Sequence, residues 1–397
     1  MPSKRANGTL TPTTRSVAII QREIPHYRIR FFEELYAQGR SEGYEILVCA
    51  TSHPIQSGNA LAFPYRILPV RLFGNSKSSA YWMQGLEATI SGTDVVVAPQ
   101  ELQCLTVPYL WAKRKRVCKT WIWWGHGYNH QASVHSSVVT SAKEAVKRFM
   151  TRRANGLITY TAGGAEYWRQ QGMPEDRVIP YYNTIDVEGL RKIRAEITEE
   201  QLACLRQTLA VEGKRVLLFS GRLYAEKKVD FLLRAFAILK QTCPRVALLI
   251  IGDGEERAEL EKLAKYLELN DVHFLGERVD PSETAAYFLL ADLMVIPSLV
   301  GLAIVHGFAF GLPIVTTNVA GHGPEVEYLS EDNGVISSDN VECYAGAIGS
   351  ILSSSSRFVS MQDAAAETGN RFSLARAAQR FMNAITNFDI RSVSHLG

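Results

Sequence analysis

The segment SGRLYAEKK (220–228) follows the apolar run VLLFS and leads into a helical pattern that begins near Val229. It sets Gly221, Arg222 and Lys227 around a helix N-terminus, where the dipole disfavours an exposed cation by roughly 0.3–1 kcal/mol. Backbone N–H groups and the two side chains would together cradle a diphosphate. The alternative is two solvated cations with Glu226 as a local partner. A second glycine turn, IIGDGEER (250–257), puts Asp253 at a strand end, either facing a ligand or sitting near a helix N-cap. Glu255, Glu256, Glu259 and Glu261 read as a solvated helix face. A third turn, from Ser298 through Gly301 and Leu302, precedes a short apolar helix carrying His306. Glycine lets backbone approach a ligand closely, and the first N–H groups of that helix suit an anion. Beside such a site His306 reads as a ligand-facing group, with a satisfied core histidine as the bland alternative. WIWWGHG (121–127) places His126 between two glycines at a strand end, as a site residue or as a turn histidine stacked under Trp123 or Trp124.

These residues need elements to hold them, and the chain alternates short apolar runs with helical patterns throughout. Strands are expected at 16–20, 44–50, 94–98, 120–124 and 157–160, with helices at 28–38, 81–90, 102–113, 142–153 and 165–171. The alternation restarts with strands at 215–220, 246–251, 272–275, 293–296 and 313–317. Helices at 229–239, 255–267, 281–289 and 303–310 separate them. The pattern implies an α/β fold of two doubly wound parallel-sheet domains whose strand ends face a cleft. The expected limits are a loose tail (1–14), a first domain (15–195), a second domain (196–373) and a terminal stretch (374–397). Residues 183–214 form the junction, and a last helix at 374–387 packs back across it. Residues 293–324 carry no charge, but Pro297, Gly301, Gly307, Gly311 and Pro313 interrupt any span of about 20 residues. That run is therefore a buried element of an α/β domain. The serine patch 353–356 reads as a loop.

At 397 residues the chain exceeds one compact core, and its 46% hydrophobic content is that of a soluble globular protein. Six scattered cysteines without a CxxC pair argue for reduced thiols in a cytosolic setting and against structural zinc. The polar first residues do not read as a signal peptide. Net charge is +3, yet residues 1–195 balance at +11 and residues 196–397 at −8. The first half is thus expected to face something anionic, a membrane surface or a phosphorylated acceptor. Nucleic acid is excluded, because no nucleic-acid motif is present and the acidic half repels phosphates. Lys143, Lys147, Arg148, Arg152 and Arg153 surround Val146, Phe149 and Met150, with more cations at 113–116. This surface lies on anionic lipid or is simply solvated.

In order and spacing, GRLYAEKK, IIGDGEER, VHFLGERV, the PS…GL…G-LP block and GPEVEYLSEDNG resemble the retaining GT-B glycosyltransferases of family 4, glycosyl transferases group 1. The likeness covers most of 215–336 and extends more weakly through VIPYYNTID (178–186). It implies two Rossmann-like domains, a UDP- or GDP-linked sugar held mainly by the second, and transfer with retention and no metal or other cofactor. By the same resemblance Arg222 and Lys227 neutralise the leaving diphosphate, and His126 contacts the donor sugar. The stretch 276–279, which includes Arg278, lies beside the base. Gly221, Asp253, Ser298, Gly301, Leu302, His306 and Glu325 complete the implied donor side. The family usually has two Glu eight positions apart where this chain has Ser298 and His306. It also often has a Gly-Gly loop where this chain has QREIPHYRIRFFEEL (21–35). Tyr27, Arg28 and Arg30 there are expected to give the cleft a basic acceptor-reading edge, or else an ordinary helix start. The implied function is sugar transfer to a hydroxyl of a lipid-linked or surface glycan, by a cytoplasmic enzyme peripheral to the inner membrane face. The alternatives are a binding or assembly subunit that has lost catalysis, and a sugar-nucleotide epimerase of the same fold.

Overall fold

A computed structural model describes residues 14–53, 61–74, 79–127, 138–278 and 280–394. The expected tail therefore lies almost wholly outside the described residues. Among the described residues the first half holds nine strands: β1 (Arg15–Ile20), β2 (Tyr44–Ala50), β3 (Tyr65–Ile67), β4 (Val70–Phe73), β5 (Ala80–Met83), β6 (Thr93–Pro99), β7 (Cys118–Gly125), β8 (Gly156–Thr159) and β9 (Val178–Pro180). Seven of them form a parallel sheet in the order β3-β2-β1-β6-β7-β8-β9, while β4 and β5 pair as an antiparallel hairpin. Six strands follow: β10 (Arg215–Ser220), β11 (Val246–Ile251), β12 (Val272–Gly276), β13 (Leu293–Ile296), β14 (Ile314–Thr317) and β15 (Gly334–Ser337). They form a second parallel sheet, β12-β11-β10-β13-β14-β15.

Helices cover both faces of each sheet, which is why central strands such as β11 and β13 are apolar at every position. Each sheet reverses its strand order once, between β1 and β6 and between β10 and β13. Ligands of open α/β sheets bind beyond the carboxyl ends of strands at such a reversal.

The sequence expectation fails in three places. Residues 81–83 are strand rather than helix, because Arg71, Leu72 and Phe73 pair with Trp82, Tyr81 and Ala80. Residues 102–113 hold a helix only from Thr106, and it breaks at Lys113 before a short turn of helix, Arg114–Val117. The serine patch is a helix start, with Ser354 accepting from the N–H of Arg357.

The helix Leu374–Ser394 crosses to the first sheet. Ala378, Phe381, Met382, Ile385 and Phe388 fill the same core as Val17, Ile19 and Ile122. Buried Asp389 pairs there with Arg15 and accepts from Tyr44 Oη and Thr120 Oγ1 at 3.2 Å each. Among the described residues no helix is long and apolar enough to cross a membrane. All six cysteines are free thiols.

Candidate functional site at the carboxyl edges of the sheets

The loops leaving β10, β11, β12, β13 and β14 stack side by side along one edge. Gly221 N–H donates to Ile251 O at 3.0 Å, Leu223 N–H to Asp253 O at 2.9 Å, and Gly252 N–H to Gly276 O at 2.8 Å. The close approach demands glycine: a Cβ on Gly252, whose φ is +142°, would lie 1.9 Å from the Gly221 carbonyl oxygen. The loops after β10 and β13 flank the reversal of the second sheet. The first of these loops carries Gly221, Arg222 and Lys227 and the second Ser298, Gly301 and Leu302, and they leave neighbouring parallel strands.

The helix after β10 starts at Val229, with Lys228 in the left-handed region at φ 51° and its ammonium on Asp339 at 2.6 Å. Among the described residues neither Arg222 nor Lys227 makes a side-chain hydrogen bond or ion pair. Arg222 is exposed and Lys227 is half-buried. Burial lowers the Lys227 pKa, against a weaker opposing pull from Glu226. A partly desolvated ammonium whose neighbouring carboxylate forms no ion pair with it favours an anion beside it.

Asp253 is not a helix cap. The next helix begins at Arg257, and Asp253 Oδ2 sits 2.8 Å from the Arg257 guanidinium, which lowers its pKa. Its other oxygen accepts from Gly254 N–H at 2.7 Å. Glu261 also pairs with Arg257, and Glu259 with Lys262.

Three donor-side residues carry buried polar atoms with no hydrogen-bond partner among the described residues: Ser298 Oγ, His306 Nε2 and Arg278 Nε. They are three of eleven such atoms among the described residues, and on this edge they are polar groups left free to meet a ligand. His306 stacks on Phe288 at 4.3 Å and 5°, with Phe310 on its flank at 5.8 Å. Burial pushes its pKa down to about 4, so it is neutral at pH 7. Arg278 lies over the Tyr287 ring at 5.3 Å. Above Gly301 a Cβ would meet nothing within 4 Å.

His322, which the sequence reading overlooked, locks the β13 and β14 loops together. Its Nδ1 accepts from Val300 N–H at 3.0 Å and its Nε2 donates to Thr317 O at 2.8 Å. Its position between two glycines in GHG, like that of His126, was the available signal.

On the first sheet His126 follows β7 and is exposed. Its ring packs against Tyr160 at 4.3 Å, tilted by 35°, while the tryptophans are buried in the strand packing. Arg28 does not form an exposed basic edge. It turns inward, 7% exposed, with Nη2 donating to Tyr160 Oη at 2.8 Å and its guanidinium 4.5 Å above the Trp124 ring. Arg30 pairs with Glu33 at 2.6 Å and Asp186 at 3.6 Å. Arg30, with 67% of its side chain exposed, and Tyr27, 39% exposed, are the two of the three that stay open to solvent.

The two edges meet at Glu325. Buried Asn183, after β9, donates to Glu325 Oε1, and Tyr181 Oη donates to Asn183 Oδ1 at 2.5 Å. Glu325 also interacts electrostatically with Arg28, and its pKa is raised by burial. Two positions on, Glu327 accepts from Gly163 N–H with both oxygens, at 2.9 and 3.2 Å. Of the predicted residues, Arg28 from the first half and Glu325 from the second are thus brought together, beside Tyr160 and Asn183. Among the described residues no three His, Cys, Asp or Glu gather as a metal site.

Residues 204–370 match the family described as glycosyl transferases group 1. The alpha-monoglucosyldiacylglycerol synthase of Streptococcus pneumoniae is 33% identical over 145 residues, 36% of this chain and 32% of that protein. The glycogen synthase of Mycobacterium tuberculosis is 33% identical over 235 residues, 56% of this chain and 52% of that protein. This chain thus spans a third to a half of the length of these curated relatives. The crystal structure of Anabaena HepE in complex with UDP superposes with a TM-score of 0.69, covering 94% of this chain and 99% of that one, at 17% identity. The motifs, the paired parallel sheets and the matches converge: residues 204–370 match the glycosyl transferases group 1 family, and the architecture of the chain is GT-B.

Proposed function

We propose that this chain is a retaining glycosyltransferase that moves a sugar from a nucleotide diphosphate sugar to an acceptor hydroxyl, without a metal. The observation that carries the reading is the pair Arg222 and Lys227, lacking carboxylate partners beside the strand-order reversal of the second sheet. As the bond from the anomeric carbon to phosphate breaks, charge develops on the diphosphate, and two preorganised cations stabilise it. A bond then forms from the acceptor oxygen on the same face, and the acceptor proton passes to the departing phosphate oxygen. No strong protein base is needed, which suits an edge with Ser298 and His306 where relatives carry carboxylates. His126 is assigned to the donor sugar, and the exposed Tyr27 and Arg30 to the acceptor.

A UDP- or GDP-linked donor is supported by the nucleotide in HepE, and a lipid-linked or polymeric glycan acceptor by the names of the relatives. The helix Val138–Arg152 adds support for a peripheral place on an anionic membrane face. Val146 and Phe149 are 49% and 51% exposed, amid Lys143, Arg148, Arg152 and Arg153. Neutral, stacked His306 favours one second reading, a subunit of the same fold that binds nucleotide without transferring.

Thermal unfolding with UDP against GDP tests the donor, because a ligand of the native state raises stability by mass action. A rise with one nucleotide, lost in Arg222→Ala, is expected; no rise with either defeats the assignment. Release of nucleoside diphosphate only when acceptor is added separates transferase from binding subunit.

A further inference from the structure

A groove of about 630 Å³ adjoins the meeting point of the halves. Gly163 and Tyr182 line it from the first half, Tyr328 and Phe372 from the second, and Arg376 and Arg380 from the crossing helix. Its lining is aromatic: the Tyr328 and Phe372 rings pack at 4.8 Å, with Tyr182 beside them. Its charge is lopsided. The carboxylate of Glu327 on its wall is engaged by Gly163 N–H. Among the described residues neither Arg376 nor Arg380 pairs with a carboxylate. Arg376 donates to the Arg371 carbonyl at 3.0 Å, and Arg380 lies 4.5 Å above the Tyr182 ring.

Tyr182 holds φ at +60°, a left-handed conformation that costs a non-glycine residue of order 1 kcal/mol or more. Glycine or asparagine would occupy that backbone more cheaply. A ring is held there against the local preference, and it is the ring that faces the groove.

We propose that this groove is a second ligand site for an anionic saccharide. The sugar ring lies against Tyr182, Tyr328 and Phe372, and its phosphate or carboxylate is bound by Arg376 and Arg380. The site is separate from the diphosphate pocket, and because its walls come from both halves an occupant also sets their relative orientation.

Calorimetric titration of the full chain with glucose 6-phosphate, glucuronate, glucose and inorganic phosphate tests it. Both anionic sugars should bind in the presence of excess UDP and GDP, and glucose and phosphate about tenfold more weakly or worse. Arg376→Ala combined with Arg380→Ala should weaken glucose 6-phosphate by about tenfold or more, the loss of charge-assisted contacts. Arg376 also holds the end of the preceding helix, so Tyr182→Gly provides a second test. It suits the backbone, removes only the ring, and should weaken the sugar while leaving phosphate unaffected. Arg222→Ala should change nothing. No heat with either anionic sugar, equal binding of glucose, or full affinity in the groove variants would overturn the proposal. Displacement by nucleotide together with loss in Arg222→Ala would also overturn it, assigning the ligand to the diphosphate pocket.

Discussion

Asn183 and Glu325, 142 positions apart, are hydrogen-bonded to each other with 4% and 3% of their surfaces exposed. Burial raises the Glu325 pKa above its ordinary 4.5, while the Asn183 bond pulls the other way. The folded chain therefore holds this proton more tightly than the unfolded chain. Stability from this carboxyl is complete below pH 4.5 and is lost as pH rises through the raised value. Urea unfolding of Glu325→Gln should show a flatter pH dependence across that window, and an unchanged slope would refute the linkage. Asn183→Ala should cost about 1–3 kcal/mol at neutral pH, leaving a buried carboxylate unsatisfied.

Arg222→Ala and Lys227→Ala should each remove roughly 2–4 kcal/mol of transition-state stabilisation, or about 30- to 1,000-fold in kcat/KM. Neither should alter thermal stability by more than about 1 kcal/mol, since neither side chain has a protein partner to lose. Near-parental turnover in either variant speaks against the diphosphate cradle.

His306 has its pKa depressed from 6.5 to about 4 by burial. The sign is opposite to that of Glu325: its contribution is complete above pH 6.5 and falls away as pH drops toward 4. His306→Phe, which keeps a ring against Phe288, should abolish part of the acid destabilisation between those values. Denaturation midpoints at pH 7 and pH 5 report it, and an identical drop in parent and variant would show that this histidine is not the cause.

Phe149→Glu together with Val146→Glu should abolish co-sedimentation with phosphatidylglycerol vesicles without changing the unfolding temperature, as both side chains are about half exposed. Binding to phosphatidylcholine vesicles should be weak in the parent too. Retained binding by the double variant would move the membrane face elsewhere.

Strands β10, β11 and β13 were legible because their buried positions are runs of apolar residues set between glycine turns and helical periods. Strands β3, β4, β5, β9 and β15 were not, since three or four residues carry no period and gain their identity from a partner. The site divides the same way. Gly221, Arg222, Lys227, Ser298 and His306 announce themselves through local turn chemistry. Arg28 looked like a surface cation, because its enclosure comes from Trp124 and Tyr160, on and beyond strands far along the chain. Asn183 lay inside a recognised motif, but its partner is set by tertiary approach alone.

Phe381 and Phe388 reach the core of a sheet whose first strand begins at Arg15. On the ribosome the core of that sheet is therefore completed only after Phe381 and Phe388 have emerged, later than every strand from β10 to β15.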